Sequence, residues 1–369
     1  MVEFIPISKP WLTLNAEKYV LDCIKSGWVS STGSYVKQFE IENANFYGAQ
    51  FGVATSNGTT ALHLALVALG VGPGDEVIVP DFTFAASINA IIHAGATPVL
   101  ADVNLDDWTI DISSCQRLLT SRTRAIMPVH ILGQPCQMTQ VMDFAESNGL
   151  WVIEDCAEAH GAAFQNRKVG SWGHISCFSF YGNKIITCGE GGICLTSNEE
   201  LDQKMRVLRD HGMNKTRRYW HDIVGFNYRM TNMQAALGCS QMENIVNIIG
   251  ERNKIAFMYD AKLTHIDQLE LQGAFPDQQR VCWLYSLRIV DERHSISFIR
   301  KALSARQIES RPFFHPLSQM PPYQNLRTDN GCKNVQVICR TGLCLPVFNG
   351  MSQNQIESVC DVLIDSLNG

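Results

Sequence analysis

Apolar positions along the chain follow two periods, and each change of period marks an element boundary. Leu14, Val20, Leu21 and Ile24 return at helical spacing within residues 13–25, a stripe able to cover another surface. Gly27-Trp28-Val29-Ser30-Ser31-Thr32-Gly33 ends that pattern as an irregular segment with Trp28 as its apolar anchor. From residue 51, short apolar runs at 51–55, 77–79, 97–101, 125–129, 150–153, 175–180 and 193–196 alternate with Ala- and Leu-rich helical stretches at 61–69 and 83–94. Continuous apolar runs suit strands buried on both faces, so the pattern predicts an α/β fold with a mostly parallel central sheet and helices on both faces. Helical spacing continues at 199–209 and 232–263, with a break expected near Gly250. Beyond it, strand-like runs at 283–290 and 310–314 and helices at 296–307 and 353–366 predict a smaller α+β C-terminal domain. The expected division is a large domain over 1–250 and a small one over 251–369.

Composition narrows the function classes. The 369 residues are 46% hydrophobic, enough for two cores, with 36 acidic and 30 basic residues. A formal charge of -6 gives no general support for nucleic-acid binding. The 13 cysteines never form a C-x-x-C pair, so they read as small buried hydrophobes in a reducing compartment, and no metal site is expected. Residues 1–4 open no secretory signal and no apolar run reaches membrane-spanning length; the expectation is a cytoplasmic globular protein with no membrane partner.

Three segments carry candidate chemistry. Ser56-Asn57-Gly58-Thr59-Thr60 joins a predicted strand to a helix. Gly58 lets backbone approach an anion, and helix-start amides with the Thr59 hydroxyl suit phosphate; a plain turn has the same sequence. Neither a G-x-G-x-x-G dinucleotide loop nor a G-x-x-x-x-G-K-[ST] loop is present. Glu154-Asp155-Cys156-Ala157-Glu158 follows another strand, at the end where α/β folds form their crevice. Asp155 can keep a heteroaromatic nitrogen protonated and Glu158 can meet a ring hydroxyl; a helix cap with two solvated acids is the plainer alternative. Ser179-Phe180-Tyr181-Gly182-Asn183-Lys184 sets one lysine among aromatic and aliphatic residues, ahead of Gly189-Glu190-Gly191-Gly192. Burial makes such an amine a better nucleophile, whereas a lysine snorkelling from an apolar surface needs no function. The combination points to pyridoxal 5'-phosphate, with Lys184 as its Schiff-base and proton-moving residue and Asp155 at its ring nitrogen. Phe84 or Phe82 can stack on the ring, and Ser179 can bond phosphate.

Together with Gly27–Gly33 and the late Gly342-Leu343-Cys344-Leu345-Pro346, these stretches resemble the sugar aminotransferase branch of the fold-type I pyridoxal-phosphate enzymes over almost the whole chain. The resemblance implies that Gly58, Thr59 and Ser179 receive phosphate and that Phe84 stacks on the cofactor. It further places Asp155 at the ring nitrogen, Glu158 near the ring hydroxyl and Lys184 at the covalent position. In Gly225-Phe226-Asn227-Tyr228-Arg229-Met230-Thr231-Asn232 it implies that Asn227 reaches phosphate held by a neighbouring subunit, hence a homodimer with shared active sites, or a tetramer built from it. Tyr181 and Cys188 depart from the commoner Phe and Thr, and His160 is expected to be structural or cofactor-side.

Arg217-Arg218-Tyr219-Trp220-His221-Asp222, Ile308 to Phe314, and Met320-Pro321-Pro322-Tyr323 are similar to the GDP-perosamine synthase subgroup. That similarity implies transfer of an amino group from L-glutamate to C4 of GDP-4-keto-6-deoxy-D-mannose, and Glu158 agrees with it where many wider relatives carry Gln. Trp28, Ser30, Arg217, Trp220, Arg311 and Tyr323 are the substrate candidates, arginines for a diphosphate or carboxylate and aromatics for sugar or base. Surface ion pairs and core packing explain the same residues one at a time. A UDP- or dTDP-linked keto sugar is the alternative acceptor, and a cofactor-sensing regulatory protein the alternative class.

Overall fold

The computed structural model describes residues 4–273, 275–291 and 293–368. Residues 1–3, part of the stretch expected to carry no secretory signal, lie outside the described residues. The apolar runs form strands, and side-chain alternation explains why they are continuous. Val77, Val79, Leu100, Ala125 and Ile153 enter one core, while Ile78, Val99, Ala101, Ile126 and Val152 enter a second on the opposite side of the sheet. Helices Gly58–Ala68 and Ala85–His93 cover the first core. Ile112–Leu118 and Met138–Ser147 cover the second through Cys115, Leu118, Val141 and Phe144.

Across the eight-stranded sheet the order is Phe51–Thr55, Gly192–Thr196, Ile175–Ser179, Trp151–Asp155, Thr123–Ile126, Glu76–Pro80, Thr97–Ala101 and Arg327–Thr328. Gly192–Thr196 is antiparallel to both neighbours, and the other pairings are parallel. Phe51–Thr55, Trp151–Asp155 and Ile175–Ser179 thus end on one edge, which brings residues 56–60, 155–158 and 179–184 together.

A second, antiparallel sheet of Leu269–Leu271, Tyr285–Ile289, Gly342–Leu345 and Arg311–Pro312 packs with Ile296–Ala305 and Gln353–Asn368 around its own core. The helix Ile245–Leu263 connects the two bodies: Ile245 and Ile248 enter the large core, and Ile255, Tyr259 and Leu263 the small one. Residues 327–338 return to the large body, where Arg327–Thr328 pairs with Thr97–Ala101 and Val335 and Ile338 are buried.

Two local expectations are corrected. The long helical stretch breaks at Glu243-Asn244, between Asn232–Met242 and Ile245–Leu263, because Asn244 leaves helical geometry at φ -118°. Gly250 is interior to the second helix with open space at its Cβ position, so nothing bends the chain there. The stripe around the first helix, Asn15–Ser26, is not the face this chain buries: Leu14, Leu21 and Ile24 are 101%, 39% and 55% exposed, Val20 is half-buried, and Ala16 and Cys23 are buried instead. No helix among the described residues is long and apolar enough to cross a membrane.

Candidate active site

The shared strand edge opens on a cavity of ≈ 750 Å³ lined by Gly58, Thr59, Phe84, Asp155, Glu158, Ser179, Lys184 and Arg311, among others. On one side, Asn57 caps the helix Gly58–Ala68 by accepting from the Thr60 amide at 2.9 Å. The amides of Gly58 and Thr59, in the first turn, have no acceptor within the helix. A Cβ at Gly58 would lie 2.7 Å from the Ser179 Cβ, so only glycine lets the helix start approach the strand end this closely. Helix-start amides and the Thr59 and Ser179 side chains thereby line one end of the cavity, an arrangement that can receive an anion.

Opposite it lie the carboxylates. Asp155 Oδ2 accepts from Ser87 Oγ at 2.7 Å and Oδ1 from the Ala157 amide at 3.1 Å. Thr83 Oγ1 sits 2.8 Å from Ser87 Oγ, and since Ser87 gives its proton to Asp155, Thr83 donates to Ser87. Burial raises the Asp155 carboxyl above its usual range, against the lowering pull of Ser87, the Ala157 amide and Lys184. Glu158 Oε2 accepts from the Leu132 amide at 2.8 Å, and Oε1 lies 3.7 Å from Lys184 Nζ. Leu132 delivers that amide from the left-handed region, φ 55°, on a turn completed by Gly133. Burial also raises Glu158, with Lys184 opposing.

Burial pulls the Lys184 amine below its ordinary value, while Glu158 and Asp155 act to raise it. Trp283 covers the amine, with Nζ 4.2 Å from its ring centroid. His160 is neutral and structural: Nε2 faces the Ser179 carbonyl at 2.8 Å and so carries the proton, and Nδ1 accepts from Tyr47 Oη at 3.0 Å. It fixes the strand end that presents Ser179. Between the two phenylalanines, Phe84 faces the cavity and is 60% exposed, whereas Phe82 is buried and stacked on Phe313.

The other candidates lie outside the cavity lining. Asn227 is exposed, its Oδ1 accepting from Arg229 Nε and Nη2 at 3.2 and 3.1 Å. Trp28 and Ser30 are exposed and joined through Asn232, which donates to both of their carbonyls at 2.7 Å. Arg217 stacks on Trp220, 3.7 Å from its centroid, on an exposed loop where the indole donates to Asp222 at 3.0 Å. Tyr323 is a buried member of the large core, its hydroxyl donating to Asn89 Oδ1 at 2.6 Å.

Sequence reasoning missed Ser87, Trp283, His63 and Tyr228. His63 and Tyr228 line the cavity with Nδ1 and Oη 3.0 Å apart. Ser87 carries only a weak signal, a hydroxyl one helical turn after Thr83. Trp283 opens the apolar run 283–290 and reads as a core aromatic until the fold sets it, two residues ahead of the strand Tyr285–Ile289, over Lys184.

The DegT/DnrJ/EryC1/StrS aminotransferase family model matches residues 12–364. A GDP-perosamine synthase from Caulobacter vibrioides is 44% identical over 361 residues, 97% of each chain, and one from Vibrio cholerae is 39% identical over 99% of each. Among solved structures, Spr1654 from Streptococcus pneumoniae in its PLP-form superposes with a TM-score of 0.93 at 26% identity over 99% of each chain. A family match across nearly the whole sequence, relatives of this similarity and a lysine–carboxylate cavity at the sheet edge lead to one conclusion: the chain belongs to the DegT/DnrJ/EryC1/StrS aminotransferase family and is a PLP-dependent sugar aminotransferase.

Proposed function

We propose that this enzyme moves the amino group of L-glutamate to C4 of GDP-4-keto-6-deoxy-D-mannose, giving GDP-perosamine, as a cytoplasmic homodimer with shared active sites. The observation that carries the amino-transfer reading is the buried Asp155–Glu158–Lys184 cluster facing a helix start across one cavity. The choice of nucleotide and sugar rests on the two perosamine-synthase relatives.

Pyridoxal 5'-phosphate supplies an electron sink that makes the α-proton of a bound amino acid acidic. The residues fit such a group. The Gly58–Thr59 amides with Ser179 suit a phosphate, and the Asp155 carboxyl, raised by burial, gains from a cationic ring nitrogen beside it. Ser87 holds Asp155 oriented for that role, and Glu158 meets the ring hydroxyl. Lys184 Nζ would hold such a group covalently, and the same amine is placed to take up and return a proton at the cavity floor. Asn227 serves the phosphate of the neighbouring subunit, consistent with its exposure and its place outside this chain's own cavity. Arg311, at the cavity wall, suits the donor carboxylate or the diphosphate.

An absorbance titration tests the assignment. L-glutamate should convert the lysine-bound cofactor band to the amine form, and the GDP-linked 4-keto sugar should restore it while UDP- and dTDP-linked ketones do not. Restoration by a UDP- or dTDP-linked ketone alone would replace the proposed acceptor.

A further inference from the structure

Trp283 is buried, 4% exposed, and presents its ring face to the Lys184 amine across 4.2 Å. Two bonds fix the indole. Its Nε1 donates to the carbonyl of Asn183, the residue preceding Lys184, at 2.8 Å. Its own carbonyl accepts from Arg252 Nη1 at 2.9 Å, and Arg252 is a buried cation whose described partners are Asn349 and carbonyl groups. Two residues upstream, the Val281 amide donates to the Gly133 carbonyl at 3.1 Å, and a side chain at Gly133 would collide with the Val281 carbonyl. The same turn gives the Leu132 amide to Glu158. Residues 281–283 therefore touch the supports of both members of the Lys184–Glu158 pair.

We propose that Trp283 is a positioning residue for Lys184: its ring face holds the amine on the Glu158 side of the cavity and favours the charged form. The inference rests on Lys184 being the cofactor lysine. Groups acting on the amine are Glu158 at 3.7 Å and Asp155 from the strand Trp151–Asp155. Glu190 and Arg311 line the same cavity, and neutral His160 lies behind Ser179. All of them, and the desolvation that opposes the charge, stay unchanged when only the ring's electron density is altered. The ring's contribution can thus be separated from that of its bulk.

The test places mono-, di- and trifluorotryptophan at position 283 of the full-length holoenzyme, which weakens the ring's negative face with little change of shape. Two readouts apply: the pH at which the visible cofactor band titrates, and the pH dependence of Lys184 acylation, followed by mass spectrometry after the cofactor is stripped. Both midpoints should fall stepwise with fluorination, by about 0.5 to 1 pH unit in total. Trp283→Phe, which keeps a ring face, should stay nearer the unsubstituted enzyme than Trp283→Leu. Midpoints that do not follow the fluorine series overturn the inference. Failure of the unsubstituted enzyme to form a Lys184-bound band would instead overturn the assignment of Lys184 itself.

Discussion

The floor of the cavity and the loop at residues 211–224 hold their polar and aromatic groups in opposite states. On the floor Asp155 and Glu158, with His160 behind them, are buried, and each has its partners within the chain. On the loop, Tyr219, Trp220 and Val224 are 76%, 46% and 90% exposed, while Arg217 and Arg218 stack on the neighbouring aromatic rings. The first helix adds to that second class with its uncovered Leu14, Leu21 and Ile24. A buried polar group has to be satisfied where it stands, whereas an exposed apolar patch gains only when something covers it. One chain therefore completes the buried floor, Asp155, Glu158 and Lys184, by itself. The outer, sugar-nucleotide half fits the proposed homodimer, in which loop and helix meet a second copy.

Removing the center of the buried floor should have the largest effect. Lys184→Ala is expected to lower transfer by at least about 10³-fold, through loss of the proton-moving amine, and to abolish the covalent cofactor band while still allowing noncovalent cofactor to be retained. Near-normal turnover would reject the assignment. The contribution of a second copy is tested by mixing. Lys184→Ala and Asn227→Ala proteins, each impaired alone, should recover about a quarter of wild-type activity after subunit exchange, because a hybrid dimer concentrates both defects in one of its two sites. No recovery, with hybrids demonstrated by mass spectrometry, would show that each site draws on one chain.

The same division decides what was legible in the sequence. Strands such as Ile175–Ser179 and the cluster at Asp155, Glu158 and Lys184 were readable because local patterns encode them: a continuous apolar run, acids at a strand end, a lysine before a glycine-rich turn. Trp283 and Ser87 were not, since each owes its role to a partner about 100 and 68 residues away, Asn183 and Asp155, and carries no local signature of it. The partner of Tyr323 was equally illegible: its hydroxyl donates to Asn89 on the helix Ala85–His93, 234 residues away in sequence. The break at Asn244 shows the limit of reading glycine as a breaker, because a helix tolerates Gly250 when its neighbours are packed.

The smallest expected effect concerns His160, and it probes whether the floor is rigid because its groups are uncharged in the right places. Burial holds this imidazole down to a pKa of about 3, well below the value of about 6.5 for an unfolded histidine. As pH falls, the unfolded chain binds the proton first. The stability owed to neutral His160 is therefore complete above about pH 6.5 and declines from there toward pH 3, by at most about 1.4 kcal/mol per unit. Burial also lowers His63 and His174, so they contribute in the same window. Glu154 enters only at lower pH: burial acts to raise it, but bonds from His130, Gly170 and Gly173 bring it below the usual carboxylate range. Between pH 6.5 and 4.5 the buried histidines therefore lower stability as pH falls, while the carboxyls that burial raises, Asp155, Glu158, Asp81 and Glu42, act in the opposite sense and are common to wild type and variant. His160→Gln keeps a donor toward the Ser179 carbonyl and an acceptor toward Tyr47 but removes the titration. Urea unfolding midpoints across that window should accordingly fall less steeply with decreasing pH in the variant than in the wild type, His63 and His174 contributing equally to both. Parallel curves for the two proteins would mean that His160 is protonated without cost, and that the strand end presenting Ser179 yields to charge.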